Sequence, residues 1–115
     1  MAASTVLVTG GAGYIGSHAA KALGAAGHRV VIFDNLSAGH RQAARDAALV
    51  VGDVRDVDAV RRAIRQSGAT AVMHFAAWLS VGDSVRDPIG YYRNNVGGAL
   101  SVLEAMASAR VRRFV

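Results

Sequence analysis

The stretch VLVTGGAGYIGSHAAKAL, residues 6–23, constrains this chain more than any other: an apolar run breaks into spaced glycines and resumes at helical spacing. Thr5 to Thr9 is rich in β-branched residues and reads as a buried strand. From Gly13 to Ala26 the apolar positions Ile15, Ala19, Ala22, Leu23 and Ala26 fall on one helical face. Between strand and helix the glycines follow two overlapping patterns, Gly11-x-Gly13-x-x-Gly16 and Gly10-x-x-Gly13-x-x-Gly16. Without a Cβ the backbone turns tightly and approaches a pyrophosphate, while the free N–H groups and dipole of the helix start attract the anion. Glycines in this pattern also serve ordinary structural turns, so context decides. Here the turn follows a strand and opens a helix, and a carboxylate, Asp34, closes the next strand 18 residues beyond Gly16. An acid there accepts hydrogen bonds from an adenosine ribose and repels a 2′-phosphate, so a dinucleotide diphosphate is expected, and NAD rather than NADP. His40 and Arg41 lie near enough for a rearranged loop to soften that preference. No Gly-Lys-Ser/Thr follows the glycines, which excludes a P-loop.

The alternation continues along the chain. Gly27 is placed to end the first helix in a left-handed cap, and RVVIF, residues 29–33, reads as a second buried strand ending at Asp34. Residues 35–47 are polar and are expected to form a loop or a short irregular helix. Leu49 to Val51 read as a third strand ending at Gly52-Asp53. Asp56 is then placed to cap a helix through Gln66, with Val57, Val60 and Ile64 inward and Gly68 as its stop. A fourth strand is expected at Ala71 to Phe75, a loop around Val81 to Pro88, and a helix from about Ile89 to Ala109 with Leu100, Leu103 and Met106 inward. Arg113-Phe114-Val115 begins a fifth strand. Strands alternating with helices predict one α/β domain over residues 1–115, a doubly wound parallel sheet. Ligands in this class lie at the carboxyl ends of the strands, here Gly10 to Gly16, Asp34, Asp53 and Ala76-Ala77. The chain stops on an apolar strand with no closing helix, which reads as a cut in a longer protein.

Composition removes other classes. There is no cysteine, so disulfides, thiolate catalysis and cysteine-ligated zinc are excluded, and a reducing compartment, the cytoplasm, is the expectation. The start, MAASTVLVTG, has no basic n-region, and no stretch approaches the ~18 apolar residues of a membrane span. Neither secretion nor a membrane partner is expected. The net charge of +5 raises the question of nucleic acid. Arg61, Arg62 and Arg65 fall on the polar side of a helix, however, and Arg110, Arg112 and Arg113 crowd the chain end, neither group interleaved with aromatics. Solvated faces are the simpler reading, and no nucleic-acid partner is expected. The histidines at 18, 28, 40 and 74 lack metal-ligand spacing, so no metal site is expected, and His74 within an apolar strand suits a hydrogen-bonded core residue. Asp83 and Asp87 fall near a helix start, where caps and dipole partners are common. Trp78 suits either stacking on a ligand or covering the sheet end.

At this point the motifs resemble a family. Thr9-Gly10-Gly11-Ala12-Gly13-Tyr14-Ile15-Gly16-Ser17-His18 is similar to the TGGxGYIGSH signature of extended short-chain dehydrogenase/reductases. Asp34-Asn35-Leu36-Ser37-x-Gly39-His40 resembles the DNLSxGH loop of the UDP-glucose 4-epimerases within them. Gly52-Asp53-Val54-Arg55-Asp56, His74-Phe75-Ala76-Ala77, Val81-Gly82-Asp83-Ser84-Val85 and Tyr91-Tyr92-Arg93-Asn94-Asn95-Val96 follow in the same order as epimerase blocks. The resemblance covers the whole chain but only the amino-terminal third of such an enzyme, implying a Rossmann-type sheet truncated at about the fifth strand. It implies NAD contacts at Gly10, Gly13, Tyr14, Ile15 and Gly16 along the pyrophosphate, and at Asp34, Asn35, Leu36, Ser37 and Gly39 around the adenosine ribose. Asp53 and Val54 would sit at the adenine, Phe75, Ala76 and Ala77 would line the dinucleotide, and Asn94 would reach it from the last helix. Two positions depart from the pattern. Members often carry a lysine where this chain has Trp78-Leu79-Ser80, and Asp83 stands for the usual glutamate.

The family's catalytic base is a tyrosine followed four residues later by a lysine, which lowers the phenol pKa so that it removes a sugar hydroxyl proton. This chain has no such pair: Lys21 is its one lysine, and residue 17 is serine. No catalytic residue is therefore expected within the chain. The resemblance implies a parent isomerase of galactose metabolism. It takes hydride from C4 of a UDP-hexose, lets the 4-keto sugar rotate and returns hydride to the other face. A homodimer of that parent stays open. Another nucleotide-sugar enzyme of the superfamily, a 4,6-dehydratase or decarboxylase, and a non-catalytic nucleotide-binding module are the alternatives, with the DNLSxGH and YYxNNV stretches against the former.

Overall fold

The computed structural model describes residues 4–115; Met1 to Ala3, which begin the stretch MAASTVLVTG with no basic n-region, lie outside them. Strand β1 (Thr5–Thr9) leads through the glycine turn into α1 (Tyr14–Ala25), followed by β2 (Arg29–Asp34), a 3₁₀ turn (Arg41–Ala44) and β3 (Ala48–Val51). Helix α2 (Val57–Ser67), β4 (Ala71–His74), a short α3 (Val81–Arg86), α4 (Pro88–Ser108) and β5 (Arg113–Phe114) complete the order. The five strands form one parallel sheet in the order β3-β2-β1-β4-β5. This is the expected doubly wound α/β class. The order reverses between β1 and β4, and a ligand crevice opens at such a switch point.

The pleat sends alternate side chains of β1 and β2 to two cores. Leu7, Val31 and Phe33 join Val72 under α2 and α4, where Val60, Ile64, Val102 and Met106 pack. Val6, Val8, Val30 and Ile32 face the other way, against Ala20 of α1 and Ala44 of the 3₁₀ turn. Helix α2 begins as its sequence dictates. Asp56 accepts from the Ala59 N–H at 3.1 Å, and Gly68 ends the helix at φ +70°.

Three local expectations are corrected. The apolar face assigned to α1 is rotated: Ile15, Ala22 and Ala26 are exposed, and the buried positions are Gly16 and Ala20. On α4, Leu100 and Leu103 are exposed and only Met106 of the expected trio is buried; Gly98, Val102 and Ala105 make the contact instead. The loop expected around 81–88 contains helix α3, whose start is capped by Ser80 Oγ accepting from the Asp83 N–H at 3.2 Å.

Candidate functional site

The carboxyl ends of β1, β2 and β4 converge on Gly10. Its N–H donates to the Phe33 carbonyl at 2.8 Å, and its φ of +69° is one that only glycine takes without strain. A Cβ on Gly10 would lie 2.7 Å from the Ala76 nitrogen, so the β4 backbone crosses where a side chain would stand. One turn later α1 packs so closely that a Cβ on Gly16 would run into the Gly10 carbonyl oxygen. Gly13 is the N-cap residue of α1; no side chain caps the helix, and its first turn carries no acid. The first N–H groups of α1 are thus left to face whatever lies in front of them.

Asp34 ties the second strand end to this turn. The residue is 8% exposed; Oδ2 accepts from the Ala12 N–H at 3.0 Å and Oδ1 from the Leu36 N–H at 2.8 Å. Leu36 is held at φ +62°, turning the chain so that the His40 N–H reaches the Ala12 carbonyl at 3.1 Å. The third anchor is Thr9, fully buried at the end of β1. Its Oγ1 accepts from the Phe75 and Ala76 N–H groups at 3.2 and 3.4 Å and lies 2.6 Å from His74 Nδ1. With Oγ1 accepting from these N–H groups, donation of its proton to Nδ1 suits the neutral Nε2–H tautomer of His74. Burial pushes the His74 pKa below the usual histidine range, in keeping with a neutral ring.

In front of these anchors lies one open groove of about 1170 Å³. Of the residues expected at a cofactor, Gly10, Gly13, Tyr14, Ile15, Gly16, Asp34, Asn35, Ser37, Gly39, Val54, Phe75, Ala76, Ala77 and Asn94 line it. Leu36 and Asp53 do not. Leu36 packs toward the α1-side core. The Asp53 carboxylate is turned onto its own neighbour: Arg55 donates to it from its backbone N–H at 2.8 Å and from its guanidinium at 2.7 Å. The Arg55 side chain holds the Asp53 carboxyl below the usual carboxylate range, against an opposing effect of burial.

The far end of the groove is formed by Trp78, for which the sequence leaves stacking on a ligand and covering the sheet end both open, with Leu79 and Ser80, Asp83 and Arg86 of α3 and Tyr91 of α4. The Trp78 ring meets Tyr91 edge-on at 5.2 Å, and Asp83 and Arg86 form an exposed ion pair. The Ser-x-x-Asp pattern of Ser80 to Asp83 was the available signal for α3. Asp87 is a cap as expected, accepting from the Gly90 N–H at 3.1 Å at the start of α4. Among the described residues, no group of three or more His, Cys, Asp or Glu could hold a metal ion, and no helix is long and apolar enough to cross a membrane. The groove is therefore a binding surface of backbone N–H groups with the Asp34 carboxylate at the glycine turn, apolar walls, and the Asp83–Arg86 pair with Asp87 at the far end; the glycine-turn part suits an anionic ligand with a hydroxyl-rich sugar.

Residues 6–115 match the NAD dependent epimerase/dehydratase family. UDP-glucose 4-epimerase of Rhizobium leguminosarum bv. trifolii is 46% identical over 115 residues, which is all of this chain and 35% of the relative. The UDP-glucose 4-epimerase of Streptomyces lividans is 49% identical over 111 residues, 95% of this chain and 34% of the relative. The crystal structure of UDP-glucose 4-epimerase from Brucella ovis in complex with NAD superposes with a TM-score of 0.94 at 47% identity, over 97% of this chain and 34% of that one. The chain thus spans about a third of the length of these relatives. Its glycine turn, strand-end carboxylate and strand order sit inside a match that takes in nearly every described residue, and the chain belongs to the NAD dependent epimerase/dehydratase family.

Proposed function

We propose that this chain is the NAD-binding part of a UDP-glucose 4-epimerase, which interconverts UDP-glucose and UDP-galactose through a 4-keto sugar. The observation that carries the proposal is the meeting, in one groove, of the glycine turn Gly10 to Gly16, the uncapped start of α1 and the Asp34 carboxylate. Those features fit NAD. The N–H groups at Tyr14, Ile15 and Gly16 hold the pyrophosphate, and Gly10 and Gly16, where a Cβ would meet the Ala76 nitrogen and the Gly10 carbonyl oxygen, let the turn close tightly beneath it. Asp34 keeps unused lone pairs beside its bonds to Ala12 and Leu36 and accepts from the adenosine ribose hydroxyls, with Asn35, Ser37 and Gly39 around them. Val54 walls the adenine, while Phe75, Ala76, Ala77 and Asn94 line the other half of the dinucleotide. Leu36 and Asp53 hold the loops that carry these walls. Bound NAD supplies the acceptor, and then the donor, of the hydride at C4 of a UDP-hexose.

The chain binds and orients; it carries no base for the sugar hydroxyl. Lys21 has Ser17 four residues before it, and Tyr91 and Tyr92 have no lysine four residues after them. General-base catalysis typically contributes ~10²–10⁴-fold, so this chain alone is expected to show only background turnover. A second reading is kept because the family takes in dehydratases as well as epimerases. UDP-galactose and NAD are given separately to this chain and to the longer protein that carries it, and UDP-glucose is read with a coupled dehydrogenase. Turnover only in the longer protein is expected. Turnover by the 115-residue chain would contradict the assignment of roles, and a stable keto-deoxy product from the longer protein would move it to the dehydratases.

A further inference from the structure

Asn95 of α4 reaches back to the connection between β4 and α3 and grips the backbone of one residue through both its N–H and its carbonyl. Its Oδ1 accepts from the Trp78 N–H at 2.8 Å, and its Nδ2 donates to the Trp78 carbonyl at 3.1 Å. A backbone N–H only donates and a carbonyl only accepts, so the two bonds fix which end of the Asn95 amide is oxygen. The preceding residue, Asn94, turns its Nδ2 to that same oxygen at 3.0 Å. Because Asn95 Oδ1 is bound to be an acceptor, the atom of Asn94 beside it has to be the NH₂ group. Asn94 Oδ1 is then the end presented to the groove that Asn94 lines. Asn94 is only 5% exposed, so packing leaves its amide little freedom to turn over once it is set.

We propose that Asn95 is a positioning residue for the ligand. By clamping the Trp78 backbone it sets the polarity of the Asn94 amide, so that the groove offers a hydrogen-bond acceptor to a hydroxyl or amide N–H of the dinucleotide. The same clamp holds Trp78 edge-on against Tyr91 at the groove's end. The inference rests on the reading of the groove as an NAD site.

Trp78 is the chain's one tryptophan and lines the groove, so its emission reports both the clamp and the ligand. The test titrates NAD against the full chain and four variants, following Trp78 emission, with far-UV circular dichroism as the check on folding. Asn95→Leu is expected to weaken NAD binding about tenfold, which corresponds to ~1.4 kcal/mol, the order of one hydrogen bond. Asn94→Ala is expected to do about the same. The double variant Asn94→Ala/Asn95→Leu is expected to bind within about twofold of Asn94→Ala, because Asn95 acts through Asn94. Asn95→Asp keeps the oxygen that receives Trp78 and Asn94, and is expected to stay within about threefold of the unsubstituted chain. Additive losses in the double variant, unchanged binding in Asn95→Leu, or an Asn95→Asp as weak as Asn95→Leu would overturn the proposal. If Asn95→Leu fails to fold, Asn95→Asp decides by the same criterion, and loss of fold in both assigns Asn95 a purely structural role. Absence of NAD binding by the unsubstituted chain would instead overturn the reading of the groove, and would be seen before any variant is compared.

Discussion

Asp34 performs two tasks with one carboxylate: it holds the Ala12 and Leu36 N–H groups and faces the groove. Asp34→Ala should therefore weaken NAD binding by on the order of 1.5–3 kcal/mol and lower thermal stability as well, since two N–H groups lose their acceptor. Calorimetry and a melting curve on the same sample separate the two effects; unchanged affinity would contradict the role given to Asp34. His74 makes a different prediction. Its pKa in the folded chain lies below the 6.5 of a free histidine because the ring is desolvated. The unfolded chain consequently binds more protons between the folded pKa and 6.5, so stability is full above about 6.5 and falls as the pH drops through that window. Replacing His74 by Asn, which keeps an acceptor for the Thr9 hydroxyl, should flatten the dependence of Tm on pH below about 6.5. An equally steep profile in His74→Asn would place the titrating group elsewhere.

At the scale of elements, Asp56 gives a measurable contribution through the start of α2. Asp56→Ala removes the acceptor of the Ala59 N–H and should cost about 1 kcal/mol, lowering Tm by roughly 4–8 °C. No change in Tm would mean that the cap is replaced by solvent. Caps and strand ends of this kind were legible in the sequence because each depends on one residue type at one spacing. Which face of a helix is buried was not. Helix α1, YIGSHAAKALGA, is built mostly of small or apolar residues, so its periodicity is shallow and the contact of Gly16 with the Gly10 carbonyl sets its rotation. In α4 the closest approach falls on small residues. A Cβ on Gly98 would sit 2.8 Å from a Val54 methyl, and the large Leu100 and Leu103 end up on the outside. Reading large apolar side chains as inward fails where tight packing selects glycine and alanine. Helix α3 was missed because six residues are too short to show a period. The groove showed itself in the sequence at its glycine and Asp34 end, where backbone geometry demands particular residues. The Trp78 end left two roles open, because its shape comes from a backbone segment held by Asn95, 17 residues further along the chain.

For the molecule as a whole, burial is uneven. Both faces of β1 and β2 are covered, yet Ile89, Tyr92, Val96, Leu100 and Leu103 form an exposed apolar stripe along α4, and β5 pairs on one side only, with β4. A stripe of this size is unusual on a soluble monomer. The 115-residue chain should therefore bind a hydrophobic dye in its native state and melt over a broad range. A sharp cooperative transition from a monomer that binds no dye would contradict this. The central claim concerns the carboxyl ends of the strands, where the order reverses between β1 and β4 and the glycine turn, α1 and Asp34 meet. The most direct test is calorimetric titration of NAD and of NADP into this chain at about 15 °C, near the usual temperature of maximum stability. Saturable binding of one NAD per chain, tighter than NADP, is the predicted result; no saturable binding of either nucleotide, or a preference for NADP, would contradict the account.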